Sequence, residues 1–123
     1  MNSKANWDDT LPEKGSEAWQ RATTKEKEEA IRHATQFLDT LPYKGERKTE
    51  TQALAWPRKG VFRDDGLLIT GVPAEIKKAV SLVAGFILAK IPCDVPALAW
   101  VMANVGHLLK EDTDLVNLDV TWH

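Results

Sequence analysis

Residues 73–90 place apolar side chains on every side of a helix. Ile76, Ala79, Val80, Val83, Phe86 and Ile87 fall at helical steps and make one stripe, while Leu82, Ala84, Leu88 and Ala89 make the other side apolar too. A helix with no polar face has to be enclosed all round. In a chain of 123 residues that leaves two arrangements: the helix is central, or its second side packs on another subunit. Pro73 suits the first helical turn, where a missing N–H costs nothing, and Pro92 halts the run. The longest nearly unbroken apolar stretch, 79–89, has 11 residues. A bilayer span needs about 20, so no membrane-spanning segment is expected.

Two further long helices are predicted. Thr23 and Glu26 form a T-x-x-E capping box, in which each side chain satisfies a free backbone N–H of the other residue. Ala30, Ile31, Ala34, Phe37, Leu38 and Leu41 then form one stripe, and Pro42 ends the helix. Asp94 can cap a last helix over 95–109, with Pro96 near its start and Ala97, Leu98, Val101, Val105, Leu108 and Leu109 facing inward. Residues 1–15 read as an irregular arm, because Pro12 and Gly15 interrupt regular structure, with Ser16 capping a short helix through Ala22. Thr49 and Gln52 can cap a turn or two of helix through Ala55. Residues 61–69 read as a β-hairpin: Val61, Phe62 and Arg63 run in, Leu67, Leu68 and Ile69 run out, and Asp65-Gly66 suits a type I′ turn. One isolated hairpin is marginal, so it has to pack on the helices or on a neighbouring chain. The expected fold is a single mainly α domain of three substantial helices with an inserted β-hairpin and extended termini.

The chemistry is sparse. Phosphate-binding, zinc-protease and nucleophile-elbow motifs are all lacking. His33, His107 and His123 lie at unrelated spacings and read as surface or capping residues. Cys93 has no second cysteine for metal or disulfide and reads as a small hydrophobe. Asp64-Asp65 is turn chemistry rather than an acid pair. No enzyme activity, cofactor or metal is expected. The start of the chain has no apolar run of a signal peptide, which predicts synthesis in the cytoplasm.

Charge is unevenly placed although the net is only −2. Residues 43–63 carry six cations (Lys44, Arg47, Lys48, Arg58, Lys59, Arg63) against two acids, a balance of +4. From Lys90 to the end, two cations face five acids, a balance of −3. Such a split favours head-to-tail contact between copies or two different partners. Within the basic segment lie Tyr43, Trp56 and Phe62. Cations interleaved with aromatic rings are what single-strand binders use, phosphates on the former and bases stacked on the latter. A tryptophan before proline, with Ala53, Leu54 and Ala55 behind it, reads more readily as a packed anchor. Five tryptophans in so short a chain point the same way, toward interfaces or core anchors.

The run Gln52-Ala53-Leu54-Ala55-Trp56-Pro57-Arg58-Lys59-Gly60 resembles the Q-A-L-x-W-P-R-x-G core of a family of small tailed-bacteriophage proteins. Upstream, Ala34-Thr35-Gln36-Phe37-Leu38-Asp39 and Tyr43-Lys44-Gly45-Glu46-Arg47 are similar to that family's A-T-x-[YF]-L-D and Y-x-G-x-R. Downstream, Asp65-Gly66 and Pro73-Ala74-Glu75-Ile76-Lys77-Lys78-Ala79 match its hairpin and its P-x-x-[IV]-K-x-A helix. Members are often labelled DnaT-like single-stranded-DNA-binding proteins, and the layout is also similar to head–tail adaptors of phage necks.

The adaptor resemblance implies a virion neck protein in a homo-oligomeric ring of about twelve copies. It would sit beneath the portal protein, present a surface to a tail or nozzle protein, and let genomic DNA pass through its channel. The alternative is a primosomal single-strand-binding protein. The adaptor accounts for the doubly apolar helix, the charge split and the irregular ends, and sets these expectations. Gln52, Leu54, Trp56, Pro57, Arg58 and Gly60 form a structural corner. Leu82, Leu88, Val61, Phe62, Leu67 and Ile69 contact a neighbouring subunit. Residues 110–123 form an arm that grips the portal or a neighbour through Leu115, Val116, Leu118, Val120 and Trp122, of which the last four alternate with Asn117, Asp119 and Thr121 as in a half-buried strand.

Overall fold

The computed structural model describes residues 10–63, 65–110 and 121–122. Among them are four α-helices: α1 (Leu11–Arg21), α2 (Thr24–Asp39), α3 (Ala74–Leu88) and α4 (Val95–Val105), the last continuing into a 3-10 turn at Gly106–Leu108. Between α2 and α3 lies a two-stranded antiparallel ribbon, β1 (Glu46–Arg47) with β2 (Arg58–Lys59). The fold is mainly α with a small inserted hairpin. None of the described helices is long and apolar enough to cross a membrane.

The doubly apolar helix is central. α1, α2 and α4 all pack on α3, and Ala79, Val83, Ala84 and Phe86 are fully enclosed. α1 occupies the side that the sequence pattern leaves open for another subunit. For residues 11–15 this corrects the expectation of an irregular arm, while residues 1–9 lie outside the described residues. Pro12 lies in the first turn of α1, where its missing N–H is no loss. Gly15 is a contact point rather than a break: a Cβ there would lie 3.1 Å from the Gly85 carbonyl carbon, and one on Gly85 would lie 3.0 Å from the Gly15 carbonyl. Two glycines let the α1 and α3 backbones approach closely. Leu82, expected at a subunit interface, is half-buried along this crossing and borders a groove of about 400 Å³ with Trp19 and Gly85. Leu88 is likewise half-buried against the chain's own core.

Helix ends follow local chemistry. At α2 the capping box is complete, with the Glu26 N–H donating to Thr23 Oγ1 (3.2 Å) and the Thr23 N–H to Glu26 Oε1 (2.9 Å). Those bonds to Thr23 hold the Glu26 carboxyl below its ordinary range. α3 stops before Pro92 can act. The Lys90 N–H donates to Ile87 O (3.1 Å) and the Ile91 N–H to Phe86 O (2.9 Å), with Lys90 at φ 60°. This is a Schellman cap with lysine in the position glycine usually takes. Asp94 stands at the N-cap of α4, but its side chain makes no capping bond.

Of the residues expected in a docking arm, Trp122 packs instead on the chain's own core. Its ring is 4% exposed. It meets Phe37 edge-on at 5.1 Å and Phe86 at 5.8 Å between centroids. Its Nε1–H donates to Ile91 O at 3.0 Å. The indole is a core residue because Phe37 of α2 and Phe86 of α3 flank it and the cap that follows α3 supplies an acceptor. Leu115, Val116, Leu118 and Val120 lie outside the described residues.

Candidate nucleic-acid interface

The inserted segment is built around Trp56 and Arg58. No helix forms over 49–55, contrary to the sequence expectation, although the expected Thr49–Gln52 contact is made. Gln52 Oε1 accepts the Thr49 N–H (3.0 Å), and its Nε2 donates to Leu54 O (2.8 Å) and Pro57 O (2.9 Å). One side chain thereby ties three parts of the loop together. The Trp56-Pro57 peptide is cis. Trp56 is 4% exposed and packs edge-on against Tyr43 at 5.4 Å. Its Nε1 is buried without a hydrogen-bond partner. The ring is thus an anchor, closed to any base. The Tyr43 hydroxyl donates to Leu38 O at 2.7 Å. Burial, with Asp39 nearby, pushes that phenol far above its ordinary range, and the charge of Arg58 only partly offsets this. Asp39 also accepts the Ala55 N–H at 3.0 Å, which gives the last residue of the A-T-x-F-L-D run its structural role.

Arg58 is spent inside the corner. Its guanidinium donates to the carbonyls of Lys44 (2.9 Å), Ala55 (3.2 Å) and Gly45 (2.8 Å). Partial burial, then the like charge of Arg47, lowers its pKa from the ordinary value. Arg58 thereby sets the β1–β2 register, Glu46 opposite Lys59 and Arg47 opposite Arg58. The sequence reading missed this ribbon, since two-residue strands carry no period to detect.

The expected hairpin over 61–69 is present in reduced form, as a single antiparallel bridge between Phe62 and Leu68. The Arg63 N–H donates to Leu67 O (2.8 Å) and the Gly66 N–H to Arg63 O (2.8 Å). A type I′ turn would need positive φ at Asp65 as well as Gly66, yet of these two only Gly66 (87°) has it. The bonds are those of a turn closed by a glycine bulge. Asp65 Oδ1 accepts the Leu67 N–H at 3.0 Å, so its carboxylate is turn chemistry. Val61 and Ile69, expected at a subunit interface, are instead buried in the chain's own core, because the Ile69 N–H donates to Val61 O and turns both side chains onto the helices. Phe62 (61%), Leu67 (65%) and Leu68 (53%) remain exposed.

Arg63 donates to Glu75 from its two terminal guanidinium nitrogens, at 2.6 and 3.2 Å, and His107 Nε2 lies 2.9 Å from the same carboxylate. The Arg63 bond, helped by His107, holds the Glu75 carboxyl down at about 2. This pins the hairpin to α3 and to the turn after α4. Residues 12 and 32 apart in sequence gave no signal for it. Cys93 is half-buried, and desolvation pushes its thiol up to about 11, which suits a packing role.

What remains is a cationic cleft between ribbon and hairpin. Lys48, Arg58 and Lys59 line it with Gly60, Leu68, Ile69, Thr70 and Gly71, around about 170 Å³. Arg47, Lys48 and Lys59 are exposed, and the Lys59–Glu46 pair at 3.7 Å is too solvated to hold its lysine. Such a cleft can accept phosphate oxygens. Among the described residues no group of three or more His, Cys, Asp or Glu could hold a metal ion.

No curated protein and no solved structure matches the chain. A family model described as "Putative DnaT-like ssDNA binding protein" matches residues 1–108, which includes α1 through α4 and the whole inserted segment, and the chain belongs to that family.

Proposed function

We propose that the protein binds single-stranded DNA through the cleft between ribbon and hairpin, by its phosphates and without strong base preference. One observation carries this: the inserted segment, held by Arg58 from within its corner, sets Lys48 and Lys59 on one cleft, with Arg47 exposed nearby. Family membership supports the same ligand. The core Q-A-L-A-W-P-R-K-G run then acts indirectly, with Gln52, Trp56 and Arg58 holding the ribbon that presents the lysines. Titration of a fluorescent oligonucleotide at several salt concentrations tests it. Two or three phosphate contacts give a slope of log K against log salt of about −2 for a single strand. Lys48→Glu with Lys59→Glu should flatten that slope and weaken binding at least tenfold. A slope unchanged in the double variant would overturn the assignment.

A second reading is favoured by the hairpin's exposed apolar side chains, Phe62, Leu67 and Leu68, which a ring subunit would bury on its neighbour. In that reading the protein is a head–tail adaptor of a phage neck. It would form a ring of about twelve copies on the portal protein, offer a rim to a tail or nozzle protein, and turn the basic ribbon toward genomic DNA in the channel. Its test is the presence of the protein in purified virions in portal-like copy number, and absence from virions would remove it. Neither reading calls for catalysis or a cofactor.

A further inference from the structure

The aromatic partner that the sequence suggests for a stacked base, Trp56, is sealed in the core. The geometry points to Phe62 in its place: we propose that Phe62 is the base-stacking platform of the single-strand site. This rests on the single-strand reading and names how that site holds a nucleotide.

Phe62 and Leu68 are directly opposed across an antiparallel bridge, and directly opposed residues project from the same face. Leu68 lines the cationic cleft with Lys48, Arg58 and Lys59. Phe62 therefore shares a face with Leu68, one of the residues that line the cleft, and stands beyond the lining itself. Its ring is 61% exposed, and Leu68 beside it is 53% exposed. The hairpin that carries them is held to α3 by the Arg63–Glu75 pair, so the ring is presented on a fixed element. An exposed aromatic face next to a row of cations is the combination that holds single strands, with the base on the ring and the neighbouring phosphate on the lysines. Duplex DNA keeps its bases stacked internally and cannot use the ring.

The test compares two probes of equal length, oligothymidylate and an abasic deoxyribose-phosphate strand, on four versions of the full chain: wild type, Phe62→Ala, Phe62→Leu and Phe62→Tyr. Wild type should bind oligothymidylate about tenfold or more tightly than the abasic strand, the scale of one stacked base. Phe62→Ala and Phe62→Leu should both lose that preference while keeping the salt slope, and Phe62→Tyr should keep it. Retention by Phe62→Leu would make the contact merely apolar and overturn the proposal. Equal binding of both probes by wild type would also overturn it and leave the phosphate-binding reading standing. Failure to bind either probe would remove both. Loss of self-association in Phe62→Ala, with the probe preference intact, would assign the ring to a contact between copies and refute the stacking role.

Discussion

Replacing Trp122 by alanine deletes an indole that is almost fully enclosed between α2 and α3. A buried tryptophan removes roughly 150–250 Å² from water. At about 25 cal/mol per Å² this corresponds to ~4–6 kcal/mol, an upper figure because the unfolded chain is not fully extended. Large-to-small changes of this kind cost about 3–5 kcal/mol once partial collapse of the cavity is included. The substitution also leaves Ile91 O without the donor that now lies 3.0 Å away. Trp122→Phe separates the two contributions: it keeps most of the ring contact with Phe37 and Phe86 and loses only the hydrogen bond, at a cost of about 1–2 kcal/mol. Urea unfolding followed by far-UV circular dichroism reads both, with the slope of the transition as the check on two-state behaviour. A domain of this size has roughly 5–15 kcal/mol in all, so the alanine variant should unfold at much lower urea. A loss under about 1 kcal/mol in Trp122→Ala would show that the indole does not hold the end of the chain on its own helices, and the reasoning above would fail.

Three further outcomes follow from the packing. Gly85→Val forces a branched side chain against the Gly15 backbone, where even a Cβ stands at 3.0 Å, and should cost at least ~2 kcal/mol in thermal or urea melts; a neutral result would mean that α1 is not seated on α3. Trp56→Ala should cost about 3–5 kcal/mol, whereas Trp56→Phe, which removes a buried Nε1 that has no partner, should stay within about 1 kcal/mol of wild type; equal losses in the two would refute the anchor role. The Glu75 carboxyl is held at about 2 in the folded chain by Arg63, below the ordinary value of 4.5, so its contribution is present above pH 4.5 and is lost as pH falls toward 2. Glu75→Gln should therefore lower stability by about 1 kcal/mol at neutral pH, the scale of a solvated bidentate pair, and by progressively less on acidification; a pH-independent difference in urea midpoints would exclude the ion pair as its cause.

Wherever neighbouring residues along the chain settle a feature, it was legible before the structure. The Thr23–Glu26 box opens α2, the apolar stripes mark α2 and α4, and the helix after Pro73, with apolar residues on two sides, has to be central or partnered. Trp56 as an anchor follows from its proline and its small neighbours. What could not be read locally depends on which surfaces meet. Pro12 and Gly15 look like breaks because their effect on an isolated helix is unfavourable, yet the first-turn position makes Pro12 harmless and the Gly85 backbone gives Gly15 a reason to lack a side chain. Gln52 and Arg58 sit in a motif, but only the folded loop shows that they cap carbonyls and leave the lysines to face solvent. Trp122 alternates with polar residues as an extended arm would, and no local signal reports that Phe37, Phe86 and the Ile91 carbonyl are waiting for it. The same holds for the candidate site. Composition revealed a basic segment with aromatic residues, while burial decided between them: enclosing Trp56 and leaving Phe62 in water depends on which side of the inserted segment packs on the helices. That is a property of the assembled core and of no stretch of sequence.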